Sequence, residues 1–215
     1  MASNFEFYSP TRVIFGKGTE QRVGALVREY GGTRVLIVYG GKSAVRSGVL
    51  DRAENSLAEA GISSWTLGGV VPNPHLDKVY EGICIGKENS IDFLLAVGGG
   101  SVIDSAKAIA LGAAGERDVW DYFTGKVPVN RTLPVAVVLT CPASGSESSQ
   151  VAVINNEHEH SKLTLSEPVL RPAFAFMNPE LSVTVPAFPT ACGIVDMFSH
   201  ICERYFSADN EIGVI

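Results

Sequence analysis

Cysteine is scarce in this chain. Cys84, Cys141, Cys192 and Cys202 are the four in 215 residues, they lie far apart, and no two form a C-x-x-C pair. That spacing gives no metal knuckle and no disulfide framework, and it reads as reduced core thiols of a cytoplasmic protein. Basic charge is also short. Lys and Arg number 17 against 23 Asp and Glu, a net charge of -6, which argues against nucleic acid or an anionic membrane as the main partner. No apolar run reaches membrane-spanning length. The opening Met1-Ala2-Ser3-Asn4-Phe5-Glu6 lacks the basic and apolar regions of a signal peptide. Internal repeats and low-complexity segments are missing, and Ser144 does not sit in a G-x-S-x-G elbow, so no hydrolase nucleophile is expected there.

What is present is a globular composition, 46% apolar, in which strand-like runs alternate with helical periods. Val13–Phe15 reads as a strand ending at Gly16-Lys17-Gly18, followed by helical spacing from Thr19 to Tyr30. Arg34–Tyr39 is a second strand, stopped by Gly40-Gly41, and a helix runs near Val49 to Ala60. Ser64–Leu67 is a short strand, Pro72-Asn73-Pro74 a turn, and Leu76–Glu88 a helix. Phe93–Val97 and Pro134–Leu139 are buried strands, with a helix over Val102–Leu111 between them. This order predicts an α/β fold with a parallel sheet and helices on both faces, which binds ligands at the carboxyl ends of its strands. The character changes at Pro186. Residues 1–185 form the expected α/β domain, and 186–215 the start of an all-helical one, with an amphipathic helix over Thr190–Phe206.

The stretch richest in information is Phe93 to Lys107. An apolar run stops at Gly98-Gly99-Gly100, and a helical pattern starts at once, with Ser101 placed to cap it and Asp104 three residues on, as in a capping box. Free N–H groups and the helix dipole make such a turn a seat for phosphate, and glycines let phosphate approach. An ordinary strand-to-helix turn fits the same residues. The G-x-G-x-x-G fingerprint is not met, because Ile103 stands at its third glycine.

A second glycine turn, Tyr39-Gly40-Gly41-Lys42-Ser43, carries no Asp or Glu to grip a ribose 2′-hydroxyl; Lys42, Ser43 and Arg46 stand there instead. This favours a 2′-phosphate, and hence NADP over NAD, and a plain solvated turn with incidental charge fits the same residues equally well. Thr140-Cys141-Pro142-Ala143-Ser144-Gly145-Ser146-Glu147 is small and polar enough to lie against a flat cofactor, or to be a simple loop with a helix cap. Asp196 and His200 lie four apart on one helical face; they are either two ligands of a divalent metal or a helical charge pair. His158 and His160 fall in a polar stretch read as an exposed hairpin or loop, and His75 in a turn.

Taken together, Phe7 to Gly18, Gly98 to Lys107, Thr140 to Glu147 and Gly193 to His200 resemble the iron-containing (group III) alcohol dehydrogenase family, in order and spacing over nearly the whole chain. The Tyr39–Ser43 turn further resembles its NADP(H)-dependent butanol dehydrogenase and aldehyde reductase branch. The resemblance implies a Rossmann-like nucleotide-binding domain and a helical domain, as in dehydroquinate synthase, with the active site in the cleft between. It implies that Gly98, Gly99, Gly100 and Ser101 hold the pyrophosphate, and that Gly40, Gly41, Lys42 and Ser43 surround the adenosine ribose. Thr140, Ala143, Ser144, Ser146 and Leu181 would line the cofactor cleft. Asp104 and Lys162 would join them and serve catalysis. Asp196 and His200 match two of four ligands of Fe²⁺ or Zn²⁺. The other two ligands are histidines in a half that this chain lacks, so it is expected to be a fragment that holds nucleotide better than metal.

The expected reaction of the complete enzyme is hydride transfer between NADP(H) and a primary alcohol or aldehyde, in a cytoplasmic protein that is a homodimer by analogy. A polyol dehydrogenase or dehydroquinate synthase-like lyase, a nucleotide-binding module without catalysis, and a phosphate-binding protein are the alternatives.

Overall fold

A computed structural model describes residues 8–206 of the chain. The Met1–Glu6 opening, Phe7 of the first family-like segment and the terminal Asn210–Ile215 lie outside the described residues. Eight strands and seven α-helices alternate. In order they are β1 (Arg12–Phe15), α1 (Val23–Glu29), β2 (Arg34–Tyr39), α2 (Lys42–Arg46), α3 (Val49–Glu59), β3 (Ser63–Leu67), α4 (Leu76–Glu88), β4 (Phe93–Gly98), α5 (Gly100–Ala114), α6 (Val119–Phe123), β5 (Val135–Leu139), β6 (Val151–Asn156), β7 (Ser161–Ser166), β8 (Phe174–Met177) and α7 (Ala187–Phe206).

Six strands form one sheet in the order β1-β8-β5-β4-β2-β3, and every pairing in it is parallel. The expected parallel α/β fold is observed. The central strands are apolar throughout because helices cover both faces. Successive residues of each go to opposite sides: Leu36, Val38, Leu94, Ala96, Val135 and Val137 pack towards α4 and α5, while Val35, Ile37, Phe93, Leu95, Ala136 and Val138 pack towards α1 and α3. Phe93, Phe174 and Phe176 are fully buried in the second layer, with ring centroids 5.6 and 5.9 Å apart. Burying each such side chain contributes about 1.5–3 kcal/mol.

The chain runs outward from β2 to β3, then returns to place β4 on the other side of β2. The direction of winding therefore reverses between β2 and β4, and a crevice opens there at the carboxyl ends of the strands. Both glycine turns read from the sequence, after Tyr39 and after Val97, lie at this point.

Several boundaries differ from the sequence reading. The Thr19–Tyr30 period begins as a 3₁₀ turn over Thr19–Arg22 before α1. α7 starts at Ala187 rather than Thr190, since Pro189 in a first turn gives up an N–H that has no intrahelical partner anyway. The hairpin tip falls in the predicted place, but β6 and β7 around it pair as a separate two-stranded sheet. The cysteines are free, yet they are not core thiols: Cys84 and Cys192 are exposed and Cys141 and Cys202 half-buried. Among the described residues no helix is long and apolar enough to cross a membrane.

Candidate nucleotide-binding site

Ser101 does not cap α5. The helix begins one residue earlier, Gly99 is its N-cap in extended geometry, and no side chain caps it. Gly99 O accepts from Val102 N and Ile103 N, which leaves Gly100 N and Ser101 N at the crevice end without an intrahelical partner. Asp104 likewise is no capping-box residue, because the cap it would answer lies two residues too far back.

Close packing explains two glycines of the turn, since a Cβ on Gly98 would run into the Val102 side chain. A Cβ on Gly100 would run into the side chain of Ser144, from the loop after β5. The Gly98-Gly99-Gly100 turn and the Ser144 loop are thus laid directly on one another. Gly41 is different: its φ is -84° and a Cβ there would meet no protein atom within 4 Å. Neither backbone strain nor the protein's own packing asks for glycine at that position, and the space above it is open.

Between the start of α2, the loop after β5 and the approach to α7 lies a cleft of about 290 Å³, lined in part by Ser43, Ser47, Thr140, Cys141, Leu181 and Thr184. No carboxylate lines it. Leu181 also borders an adjoining cleft with Lys17, Arg52 and Glu180. The wall between them is held by Glu20, a carboxylate 1% exposed, which accepts from Arg52 Nε at 3.0 Å and from Asn178 Nδ2 at 3.0 Å. Ala143 borders a third recess together with Gly193 and Met197 of α7. Lys42 and Ser43 are exposed at the start of α2.

Asp104 faces the loop after β5. Its Oδ1 accepts from Ser146 Oγ at 2.6 Å and its Oδ2 from Val153 N at 3.2 Å. Burial raises its carboxyl above the usual range, against the opposing pull of Ser146, Lys107 and Val153. Lys107, one turn along α5, is fully buried. Burial draws it down to about 8; Asp104 and Glu147 oppose the fall and Arg171 adds to it. Sequence reasoning carried Lys107 only as the last letter of a motif. The available signal was its spacing of three from Asp104, which puts an amine and a carboxylate on one helix face.

Lys162 is not brought to Asp104. Its Nζ donates to Asn73 Oδ1 at 3.0 Å, and it lines a different cleft with His75, Asn155, Glu157 and His160. His75 and His158 pair with Glu157 and Asp77, each at 3.3 Å, and His158 and His160 are exposed as expected.

Asp196 and His200 do share a face of α7, with Oδ2 3.7 Å from Nε2, and both are exposed. Among the described residues no group of three or more His, Cys, Asp or Glu could hold a metal ion. Two donors do not complete a zinc or iron site, so the described residues do not by themselves fit one.

Residues 10–179 match the family model "Iron-containing alcohol dehydrogenase". The chain is 44% identical over 204 residues to NADH-dependent butanol dehydrogenase A of Clostridium acetobutylicum, covering 95% of this chain and 52% of that protein. It is 36% identical over 206 residues to the NADPH-dependent aldehyde reductase YqhD of Escherichia coli, covering 94% and 52%. The crystal structure of NADH-dependent butanol dehydrogenase A from Thermotoga maritima superposes with a TM-score of 0.91 at 42% identity, covering 94% of this chain and 51% of that one. The chain thus spans about half the length of these relatives.

Proposed function

Because this chain belongs to the iron-containing alcohol dehydrogenase family, we propose that it is the nucleotide-binding part of an enzyme that moves hydride between a nicotinamide cofactor and a small primary alcohol or aldehyde. The observation that carries this is the meeting of two glycine turns at the switch point of a parallel sheet, beside a cleft free of carboxylates. In this reading the first-turn N–H groups of α5 and Gly98–Ser101 take the pyrophosphate. Gly40, Gly41, Lys42 and Ser43 take the ribose, and Thr140, Ala143, Ser144, Ser146 and Leu181 wall the cleft. When bound, the nicotinamide supplies the hydride; the protein aligns it with the carbonyl carbon and excludes water. Asp104 and Lys162 are the titratable groups proposed for the reacting end, although in this structure Lys162 lines a different cleft and pairs with Asn73.

NADP(H) is the proposed preference. A carboxylate after β2 would repel a 2′-phosphate, and none stands in the turn or lines the cleft. Relatives named for NADH and for NADPH both occur, so the turn chemistry, not the names, supports the choice. Asp196 and His200 are proposed as two donors towards Fe²⁺ or Zn²⁺, a set that the described residues leave incomplete. A homodimer belongs to the same proposal, β1 being an edge strand with Val13 and Phe15 exposed.

The test is consumption of NADPH or NADH with butanal, with Fe²⁺ or Zn²⁺ added, alongside direct nucleotide titration. Binding with NADPH favoured supports the reading. A chain that binds neither nucleotide contradicts it. Turnover by these 215 residues alone would show that the metal set is complete without further chain.

A further inference from the structure

The loop from Thr140 to Gln150 has little regular structure, yet it supplies much of the proposed cofactor wall. What fixes it is a single amine. Lys107 Nζ shares its three N–H groups among four acceptors, Ser146 O at 2.8 Å, Ser146 Oγ at 2.9 Å, Ser149 O at 2.9 Å and Val151 O at 2.8 Å. Three carbonyl oxygens and a hydroxyl converge on it, a cage of the kind that binds a small cation.

From that cage contacts run back to the glycine turn. Ser146 Oγ, held by Lys107, donates to Asp104, and Ser146 N donates to Ser144 Oγ at 3.3 Å. Ser144 in turn occupies the space that a Gly100 Cβ would need. A second cation ties only the far side of the loop: Arg171 donates to Ser148 O at 2.6 Å and to Gln150 Oε1 at 3.1 Å.

We infer that Lys107 is a positioning residue for cofactor binding: its buried ammonium is the cation around which the Ser146–Val151 segment folds, and it sets Ser144 and Asp104 against the Gly98–Gly100 turn. The inference rests on the proposed function for its cofactor clause and on these contacts alone for the loop.

Hydrogen exchange of the nucleotide-free full chain and NADPH titration test it together. In Lys107→Met, amides 144–153 should exchange roughly tenfold faster while those of β4 and β5 keep their protection. NADPH affinity should fall by roughly tenfold. In Lys107→Ala, propylammonium should restore both, whereas tetramethylammonium at equal ionic strength, which has no N–H to donate, should restore neither. If the Lys107 variants do not fold, Ser146→Ala decides. It removes the hydroxyl between Lys107 and Asp104, and weaker NADPH binding with faster exchange at Ser144 and Val153 is expected.

Unchanged exchange in the loop would overturn the inference, and so would a uniform rise over the whole chain or wild-type NADPH affinity in Ser146→Ala. A wild-type chain that binds no nucleotide, with the loop still loosened by Lys107→Met, would overturn the functional reading and leave the clamp standing.

Discussion

The sheet and α7 are both rich in apolar residues and put them to opposite use. In the sheet Phe93, Phe174 and Phe176 are fully buried. On α7, Phe188 is 79%, Phe198 67% and Ile201 53% exposed. Both segments obey local rules: central strands that are nearly continuous apolar runs, a helix where apolar residues recur at three and four. Local pattern decides secondary structure in each. Only the sheet finds its packing partners among the described residues.

The largest expected effects separate the two regions by stability. Phe174→Ala should cost about 3–5 kcal/mol in urea unfolding, since the cavity lies between three aromatic rings and a helix layer. Phe198→Ala should stay within about 0.5 kcal/mol. Equal losses would break the comparison.

Next in size is Gly100→Ala, which separates binding from folding within the sheet region. Gly100 is the first residue of α5, where alanine gains little of its interior helix preference, and the forced shift of Ser144 should lower thermal stability slightly. The new methyl displaces Ser144, and nucleotide affinity should fall by roughly tenfold, about 1.4 kcal/mol. Unchanged titration curves would mean that the loop and the turn need not meet.

A smaller effect follows pH. Lys107 sits at about 8 in the folded chain against 10.5 when solvated. Between those values the unfolded chain binds the extra proton, so stability contributed at this site rises with pH over that window. The melting temperature of wild type minus that of Lys107→Met should therefore climb from about pH 8 towards 10.5. A falling difference would reverse the assignment.

The smallest change is expected for Asp196→Ala. An exposed pair 3.7 Å apart should contribute no more than about 1 kcal/mol, and nucleotide affinity should not move. Loss of nucleotide binding in a folded variant would contradict the division between the cleft and α7.

Much of this was legible in the residues. Arg34–Tyr39 and Leu76–Glu88 fall where apolar run and helical period put them, because glycines bound the strand at both ends and Pro72 and Pro74 precede the helix. β8 was missed: four residues between prolines, three of them buried, are too short to show a period. α2 is a single turn after a glycine pair and has the same problem. The glycine turns could be read, but their convergence is a property of strand order. Lys107 was hidden for another reason. A lysine is read as solvent-facing unless its acceptors are known, and three of its four are backbone carbonyls, which sequence does not display.

The central claim is that the crevice between β2 and β4 holds a nicotinamide nucleotide. Calorimetric titration of the 215-residue chain with NADPH and with NADH tests it most directly. The account predicts saturable binding of both, with NADPH tighter by roughly tenfold, and weakened binding in Gly100→Ala. No heat of binding for either nucleotide to a folded chain would contradict it.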